Sequence, residues 1–181
     1  GDGLAGQISN EYFLPQEKLI ETGLLEYFHQ MVTKYWQTVL TNGNMWQYCD
    51  KKFEHGPHGF DYACKIVSAW TVHQFENEYN PIHNHNGHIS GVGYLKLPKS
   101  FGKPFQTNKE KNVNGNISFI HGARMFNSSS ILNVEPKVGD FYIFPNYLMH
   151  HVYPFKDSKE ERRSISFNLK IDENIYNVYK R

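Results

Sequence analysis

The 181-residue sequence predicts a mainly β protein, a β-sandwich or jelly-roll barrel supported by one N-terminal helix. Three observations predict this class. One long stretch near the start has helical periodicity, the remainder divides into short segments rich in β-branched and aromatic residues, and turn residues separate those segments. The length suits a single domain over residues 1–181, with a helical N-terminal part in 1–60 and a jelly-roll core at about 65–175.

The predicted helix covers Pro15 to Leu40. Its apolar residues recur at steps of three and four, which makes one hydrophobic stripe: Leu19, Ile20, Leu24, Phe28, Met31, Val32, Tyr35, Trp36 and Val39. Pro15 suits a helix start and Asn42-Gly43 suits a helix end. We therefore expect a single helix packed against the main body of the protein.

Seven strands are predicted after the helix, at residues 65–75, 89–98, 116–122, 129–136, 140–145, 150–155 and 163–171. Turn residues such as Asn86-Gly87, Asn114-Gly115 and Gly139-Asp140 separate them. The polar segment 99–115 is predicted to be a mobile, lid-like insertion. The tail at 174–181 is a further edge-strand candidate that nothing in the sequence decides.

Composition excludes several function classes. A net charge of +1 lacks the basic excess that charge-driven nucleic-acid binding needs, and no apolar run is long enough to span a membrane. Cys49 and Cys64 form no CxxC motif, and the opening residues lack the basic and apolar regions of a secretory signal. These features predict a cytoplasmic protein.

Two histidine clusters suggest a metal site. His83 and His85 are two residues apart, so in a strand they share a face with Cα atoms about 6.6 Å apart. His150 and His151 are adjacent, so only one of them can reach an ion shared with the first cluster. Three neutral imidazoles suit Fe, Zn, Cu or Ni rather than Mg or Ca.

A third motif suits a carboxylate ligand. In an extended segment over residues 161–169, Arg162, Ser164, Ser166 and Asn168 share one face. A guanidinium followed at i+2 by a hydroxyl can bind a carboxylate bidentately with one additional hydrogen bond. The competing interpretation is that Arg162 and its neighbour are exposed and paired with the preceding glutamates.

The order of these motifs resembles that of the non-haem Fe(II), 2-oxoglutarate-dependent oxygenases, and in particular a prolyl-hydroxylase-like subgroup. The resemblance covers roughly residues 66–171 and depends on three segments: "HNHNGHISGVGYL", "GDFYIFPNYLMHHVYP" and "RRSISFN". It implies a double-stranded β-helix (jelly-roll) core. It also implies Fe(II) as cofactor, with 2-oxoglutarate and O2 consumed and succinate and CO2 released as a small-molecule or peptidyl substrate is hydroxylated. A homodimer is compatible with the sequence.

The resemblance also implies roles for individual residues. His83 would be the first iron ligand and His150 the distal one. Arg162 and Ser164 would hold the C5 carboxylate of 2-oxoglutarate, and Tyr94 would donate its hydroxyl to the same group. Five aromatic residues are candidates for the cavity wall: Trp70, Phe75, Phe141, Tyr142 and Tyr147.

One position departs from the family pattern, because His85 stands where these enzymes usually have a carboxylate ligand. Three interpretations remain open at this stage. His85 is a third imidazole ligand, or His85-Asn86-Gly87 marks a site with an open position for halide or water, or His85 is a hydrogen-bond donor behind another ligand. The choice of His150 over His151 also follows only from the family pattern.

Two alternative functions compete with the oxygenase. A cupin-type metal-binding protein or enzyme that does not use 2-oxoglutarate would share the barrel and the HxH motif. The cupin pattern has a glutamate four or five residues later, where this chain has Ile89 and Ser90, and it gives Arg162 no role. The second alternative is a jelly-roll module without catalytic activity.

Overall fold

The computed structural model describes residues 6–42, 64–108 and 110–171. In chain order the elements are β1 (Asn10–Phe13), α1 (Gln16–Glu21), α2 (Leu24–Asn42), β2 (Cys64–Gln74), β3 (Asn80–His83), β4 (Ile89–Lys96), β5 (Ile117–Ile120), β6 (Ile131–Val134), β7 (Phe141–Pro145), β8 (Met149–Val152) and β9 (Arg162–Ile171). Within the described residues these strands form two antiparallel sheets. The larger has the order β1-β2-β9-β4-β7 and the smaller β3-β8-β5-β6. The predicted jelly-roll core with N-terminal helical support is confirmed.

The single helix predicted over Pro15 to Leu40 is wrong in one respect, because two helices occupy this stretch. Gly23 separates them and adopts a left-handed conformation with φ +73°. Its N–H bonds to the carbonyl of Ile20, and the N–H of Thr22 bonds to that of Lys18. A glycine in this conformation ends a helix without the steric cost that other residues meet.

The helices cover the outer face of the larger sheet. Leu19, Phe28 and Val32 are buried there against the outward side chains of β9, which are Ile165, Phe167 and Leu169. The rings of Phe28 and Phe167 stack with centroids 4.4 Å apart. Strand alternation then directs the other side chains of β9 into the space between the sheets.

The space between the sheets contains a second apolar cluster. Val92 and Tyr94 of β4 meet Ile117 and Phe119 of β5, together with Phe144 of β7. Successive side chains of a strand point to opposite faces, so alternate residues of β4 face the two layers on either side of the sheet. This core holds the two sheets together and leaves a cavity beside it.

All seven predicted strands are present, with shifts of a few residues at their ends. β1 and β3 were not predicted. Each has only four residues, and β3 contains Pro81, which weakens any strand signal. The 99–115 segment lacks helix and strand among its described residues, and the Asn114 side chain bonds the carbonyls of Phe101 and Lys103. Cys49 and the tail 174–181 lie outside the described residues.

None of the described helices is long and apolar enough to cross a membrane.

Candidate metal centre

His83, His85 and His150 come together at the edge of the smaller sheet. His83 is the last residue of β3 and lies directly opposite His150 of β8 in the antiparallel ladder, while His85 follows two residues later. One ligand nitrogen from each residue lies within 4.8 Å of the others. The ring centroids of His83 and His150 are 4.2 Å apart, and each ring is 4.9 Å from that of His85.

Backbone carbonyls orient two of these rings. Nδ1 of His83 lies 2.7 Å from the Pro81 carbonyl oxygen, and Nδ1 of His150 lies 2.9 Å from that of Leu148. A carbonyl only accepts, so each Nδ1 carries the proton and each Nε2 keeps its lone pair. Both rings are therefore in the tautomer that binds a metal through Nε2.

Burial keeps the three imidazoles neutral. Desolvation, together with the neighbouring histidines, lowers the pKa of His85 to about 3 and that of His150 to about 4. Desolvation also lowers the pKa of His83, against the opposing effect of its hydrogen bond to Pro81. A metal ligand must offer a lone pair, so these directions favour metal binding at neutral pH.

The spacing of the nitrogens also suits one ion. Nε2 of His85 lies 3.1 Å from Nε2 of His150. Two nitrogens at a right angle, each about 2.1 Å from one transition metal, lie about 3.0 Å apart. No described carboxylate belongs to the cluster, so its donor set is imidazole alone. Such a set fits Fe(II) and related ions.

His151 lies outside the cluster. It is adjacent to His150 on β8 and points to the other side of the strand, where its ring is 4.5 Å from that of Tyr153. His88 likewise points away, with Nδ1 beside the backbone of Ile171. His55 and His58 lie outside the described residues.

Arg162 lies on the inner face of the larger sheet and is only 2% exposed. Its Nε and Nη2 have no hydrogen-bond partner, and neither does the nearby hydroxyl of Tyr94. The guanidinium carbon is 5.0 Å from the centroid of the Tyr94 ring. Among the described residues no carboxylate pairs with Arg162. A buried positive charge with unused donors is a site for an anion.

One cavity between the sheets connects these groups. Its walls include His85 and His150 of the cluster and Arg162 and Ser164 of β9. The rest of the wall contains the polar side chains of Gln74, Asn80 and Ser166 and several apolar ones: Val72, Val92, Ile117, Phe144 and Val152. Four of the six predicted site residues line this cavity: His85, His150, Arg162 and Ser164. His83 lies beside it in the histidine cluster, and Tyr94 lies beside Arg162.

Asn146 is a positioning residue that sequence analysis missed. Its side-chain Nδ2 donates to the carbonyl of His85 at 3.0 Å, and its own carbonyl accepts from the N–H of His85 at 3.0 Å. These bonds join the loop after β3 to the turn after β7. Asn146 follows the "FP" pair, and that turn motif is the only local signal for it.

The aromatic candidates for the cavity wall were mostly wrong. Trp70 lines the cavity, but Phe141 packs on the outer face against Phe28. Tyr142 donates to Asp140 and Tyr147 is exposed. Strand parity explains Phe141, which faces the helical layer, whereas Tyr142 faces the inner layer but packs against Tyr94 and Phe119. Phe75 is not part of the cavity wall.

A family model of the 2OG-Fe(II) oxygenases matches residues 68–168, which is more than half of the chain. The chain therefore belongs to the 2OG-Fe(II) oxygenase family. Iron and 2-oxoglutarate, predicted from the motif order, are the cofactor and co-substrate that define this family. No curated protein matches the chain.

Three solved structures are similar to this chain at low sequence identity, and the first of them shares its fold. The viral collagen prolyl hydroxylase of Paramecium bursaria Chlorella virus-1, solved with 2-oxoglutarate, is 14% identical, with a TM-score of 0.51 over 93% of this chain and 82% of that one. A 2OG-Fe(II) oxygenase-family oxidoreductase from Burkholderia pseudomallei is 14% identical, with a TM-score of 0.45 over 63% of this chain. A prolyl-4-hydroxylase from Pseudomonas putida is 16% identical, with a TM-score of 0.39 over 56%. The chain spans 46% and 47% of the last two.

Proposed function

We propose that the protein is a dioxygenase that hydroxylates a small-molecule or peptidyl substrate at an iron held by His83, His85 and His150. Arg162, with Tyr94 and Ser164, holds the C5 carboxylate of 2-oxoglutarate. The observation that carries this proposal is one cavity that joins a cluster of neutral imidazoles to a buried, unpaired guanidinium. A cytoplasmic location and a homodimer stay predictions.

The three histidines act as neutral donors in this proposal. Their lowered pKa values keep the Nε2 lone pairs available at neutral pH, and the carbonyls of Pro81 and Leu148 hold two of the rings in position. The side chain of Asn146 donates to the backbone carbonyl of His85 and so holds the third histidine in position. With three imidazoles the ligand set is uncharged, so the site keeps the full positive charge of its ion.

Arg162 recognises the co-substrate through charge and geometry. Nε and Nη2 are two donors in a planar fork, which matches the two oxygens of a carboxylate. The buried hydroxyl of Tyr94 is a further donor, and Ser164 lies two residues along the same strand face. Burial of Arg162 and Tyr94 lowers the local dielectric around these donors, which strengthens their bonds.

Bound Fe(II) supplies the activation of O2, which no side chain of the protein can perform. The overall reaction balances when substrate R–H, 2-oxoglutarate and O2 give R–OH, succinate and CO2. One oxygen atom enters the substrate and the other enters succinate. The chain's own residues bind, orient and exclude water around these reactants.

The test is anaerobic addition of Fe(II), followed by 2-oxoglutarate, to the purified protein. We expect a weak visible charge-transfer band on adding 2-oxoglutarate. His150→Ala abolishes the band, because it removes one of the converging Nε2 atoms. His151→Ala keeps it, because the His151 ring lies against Tyr153 outside the cluster. Iron binding with no response to 2-oxoglutarate would contradict the proposal.

Adjacent arginines provide a matched pair for the co-substrate site. Arg162→Ala should weaken 2-oxoglutarate binding by about tenfold or more, since a charge-assisted bidentate contact is lost. Arg163→Ala should leave it unchanged, because Arg163 points outward and bonds Glu161. The dissociation constant is measured by titration of the band. If the two substitutions changed the dissociation constant of 2-oxoglutarate equally, its C5 carboxylate would have to bind elsewhere.

The cupin alternative leaves Arg162 unexplained. A cupin that does not use 2-oxoglutarate needs no buried cation in the cavity, and an unpaired buried guanidinium is costly to keep without an anion to bind.

A further inference from the structure

A second depression adjoins the candidate metal centre on the side away from Arg162. Its walls are formed by Glu11 and Phe13 of β1, Ser68 and Trp70 of β2, Asn168 of β9, and the loop residues Asn84, His85 and Asn86. His85 and Trp70 line both this cleft and the cavity that contains Arg162. One candidate metal ligand therefore contacts two separate spaces.

Strand pairing explains why these residues share a face. Arg162 is opposite Gln74 at one end of the β2–β9 ladder, and Asn168 is opposite Ser68 towards the other end. Six residues of β-strand span about 20 Å. The anion site and the cleft therefore lie at different positions along the same inner face, with His85 and Trp70 at their common boundary.

β1 extends this face beyond the barrel. Glu11 pairs with Val72 and Phe13 with Trp70, so their side chains project on the side of the cavity. The rings of Phe13 and Trp70 are 6.5 Å apart, and those of Trp70 and His85 are 5.6 Å apart. A continuous wall of rings leads from the exposed Phe13 to the candidate metal centre.

Glu11 is the acidic group of the cleft, and the other polar side chains of its wall are three amides, one hydroxyl and the His85 imidazole. Within residues 6–42, 64–108 and 110–171, no basic side chain forms an ion pair with it. Desolvation by burial raises the pKa of Glu11, which shows that its carboxyl group is partly withdrawn from solvent in the cleft. A negative charge next to two aromatic faces is a suitable receptor for a cation.

We propose that this cleft binds the substrate and selects one that carries a cationic nitrogen group, an amine or a guanidinium, held by Glu11 with Phe13 and Trp70 as the flanking walls. The inference rests on the proposed function, because it takes the His85 side of the cleft as the place where the reacting carbon meets the metal. The cationic group belongs either to a small amine or to a lysine or arginine side chain of a peptide.

The test measures binding rather than turnover. Dissociation constants are obtained by NMR titration for butylammonium, 1-butanol and butyrate, with and without Zn(II) and 2-oxoglutarate. We expect the cation to bind the wild-type protein at least about fivefold more tightly than the alcohol, and butyrate to bind more weakly than either. Glu11→Gln should remove this preference and Glu11→Lys should reverse it towards butyrate.

Glu17→Gln is the matched control. Glu17 is exposed on α1, on the other face of the larger sheet, so the same loss of charge should leave the preference unchanged. Far-UV circular dichroism checks that each variant folds. Equal binding of cation and alcohol to wild type, or a preference that survives Glu11→Gln, would overturn the inference.

A second pair of probes identifies the source of the cation. An acetylated, amidated glycyl-lysyl-glycine is compared with the same peptide carrying norleucine in place of lysine. Tighter binding of the lysine peptide than of butylammonium supports a peptidyl substrate, and the reverse supports a small amine.

A 2-oxoglutarate band without any Glu11-dependent preference overturns this inference alone. A Glu11-dependent preference without the band overturns the oxygenase and leaves a cation-binding cleft.

Discussion

Glu161 and Arg162 are neighbours in the chain and both are buried, yet only Glu161 has its charge neutralised inside the protein. Glu161 accepts from Arg163 at 2.7 and 2.8 Å and from Lys96 at 3.2 Å, and His73 lies 2.5 Å away. Arg162 faces the opposite side of β9 from Arg163 and has no acidic partner among the described residues. The difference follows from strand alternation, which places one arginine beside the glutamate and the other in the cavity.

Because of Glu161, the free energy of unfolding should fall as the pH is lowered in the acid range. The hydrogen bonds from Arg163 and Lys96 and the nearby charges hold the pKa of Glu161 below its ordinary value of 4.5. A depressed carboxyl pKa means that the unfolded state binds more protons, so the stabilisation is complete above about pH 4.5 and is lost as pH falls through the folded value.

Urea unfolding of wild type and Glu161→Gln tests this. At pH 7 we expect the variant to be less stable by about 1–2 kcal/mol, with the difference shrinking as pH falls below 4.5. A difference that stays constant down to pH 3 would show that Glu161 contributes through packing and not through its charge.

At the scale of the element, β4 shows how a glycine-containing strand joins two layers. Ser90, Val92 and Tyr94 point into the space between the sheets, whereas Gly91 and Gly93 lie beneath rings on the helical side. A Cβ at Gly91 would lie 2.5 Å from the ring of Phe167, and one at Gly93 would overlap the ring of Phe141. The two glycines therefore let Phe167 and Phe141 lie flat on the sheet and contact α2.

Gly93→Ala should destabilise the protein by about 1–3 kcal/mol. In an unobstructed strand the same change is stabilising, because alanine loses less backbone entropy than glycine. The sign of the effect thus reports the contact with Phe141. A double-mutant cycle measured by chemical unfolding checks it: in a Phe141→Leu background the cost of Gly93→Ala should fall. An equal cost in both backgrounds would assign it to the backbone.

At the scale of the whole molecule, the two faces of the larger sheet have different roles: the outer face packs against the helices, and the inner face carries the candidate site. Its outer face is dry and apolar, with the helices packed on Phe167 and Ile165. Its inner face carries the polar groups of the cavity, including Arg162 and Ser164. The same strand, β9, supplies both faces, so the helical layer supports the site without contacting it.

Phe28→Ala should therefore affect folding far more than binding. Phe28 is fully buried and stacked on Phe167, so its truncation should cost about 3–5 kcal/mol of unfolding free energy. Ile20→Ala, an exposed position on α1, should change stability by less than about 0.5 kcal/mol. For both variants the 2-oxoglutarate dissociation constant should stay within about twofold of wild type under folding conditions. A selective loss of 2-oxoglutarate affinity in Phe28→Ala would show that the helical layer shapes the site.

Periodicity was enough to predict the strand-rich core, and the motif order with its family resemblance pointed to the six candidate site residues, whose roles stay predictions. Alternation of side chains along a strand places Arg162 and Ser164 on the same face, whatever the position of that strand in the sheet. His83 and His150 lie in motifs whose order along the chain resembles that of the family. These properties are local, so a sequence records them directly.

Only the tertiary structure decided what depends on pairing between distant segments. It set His83 opposite His150 and turned His151 towards Tyr153. It also left Arg162 without a partner and brought β1, with Glu11, to the edge beside Trp70. Register and partner choice come from many weak contacts summed over the whole fold, and a short strand such as β1 carries almost none of that information in its own four residues.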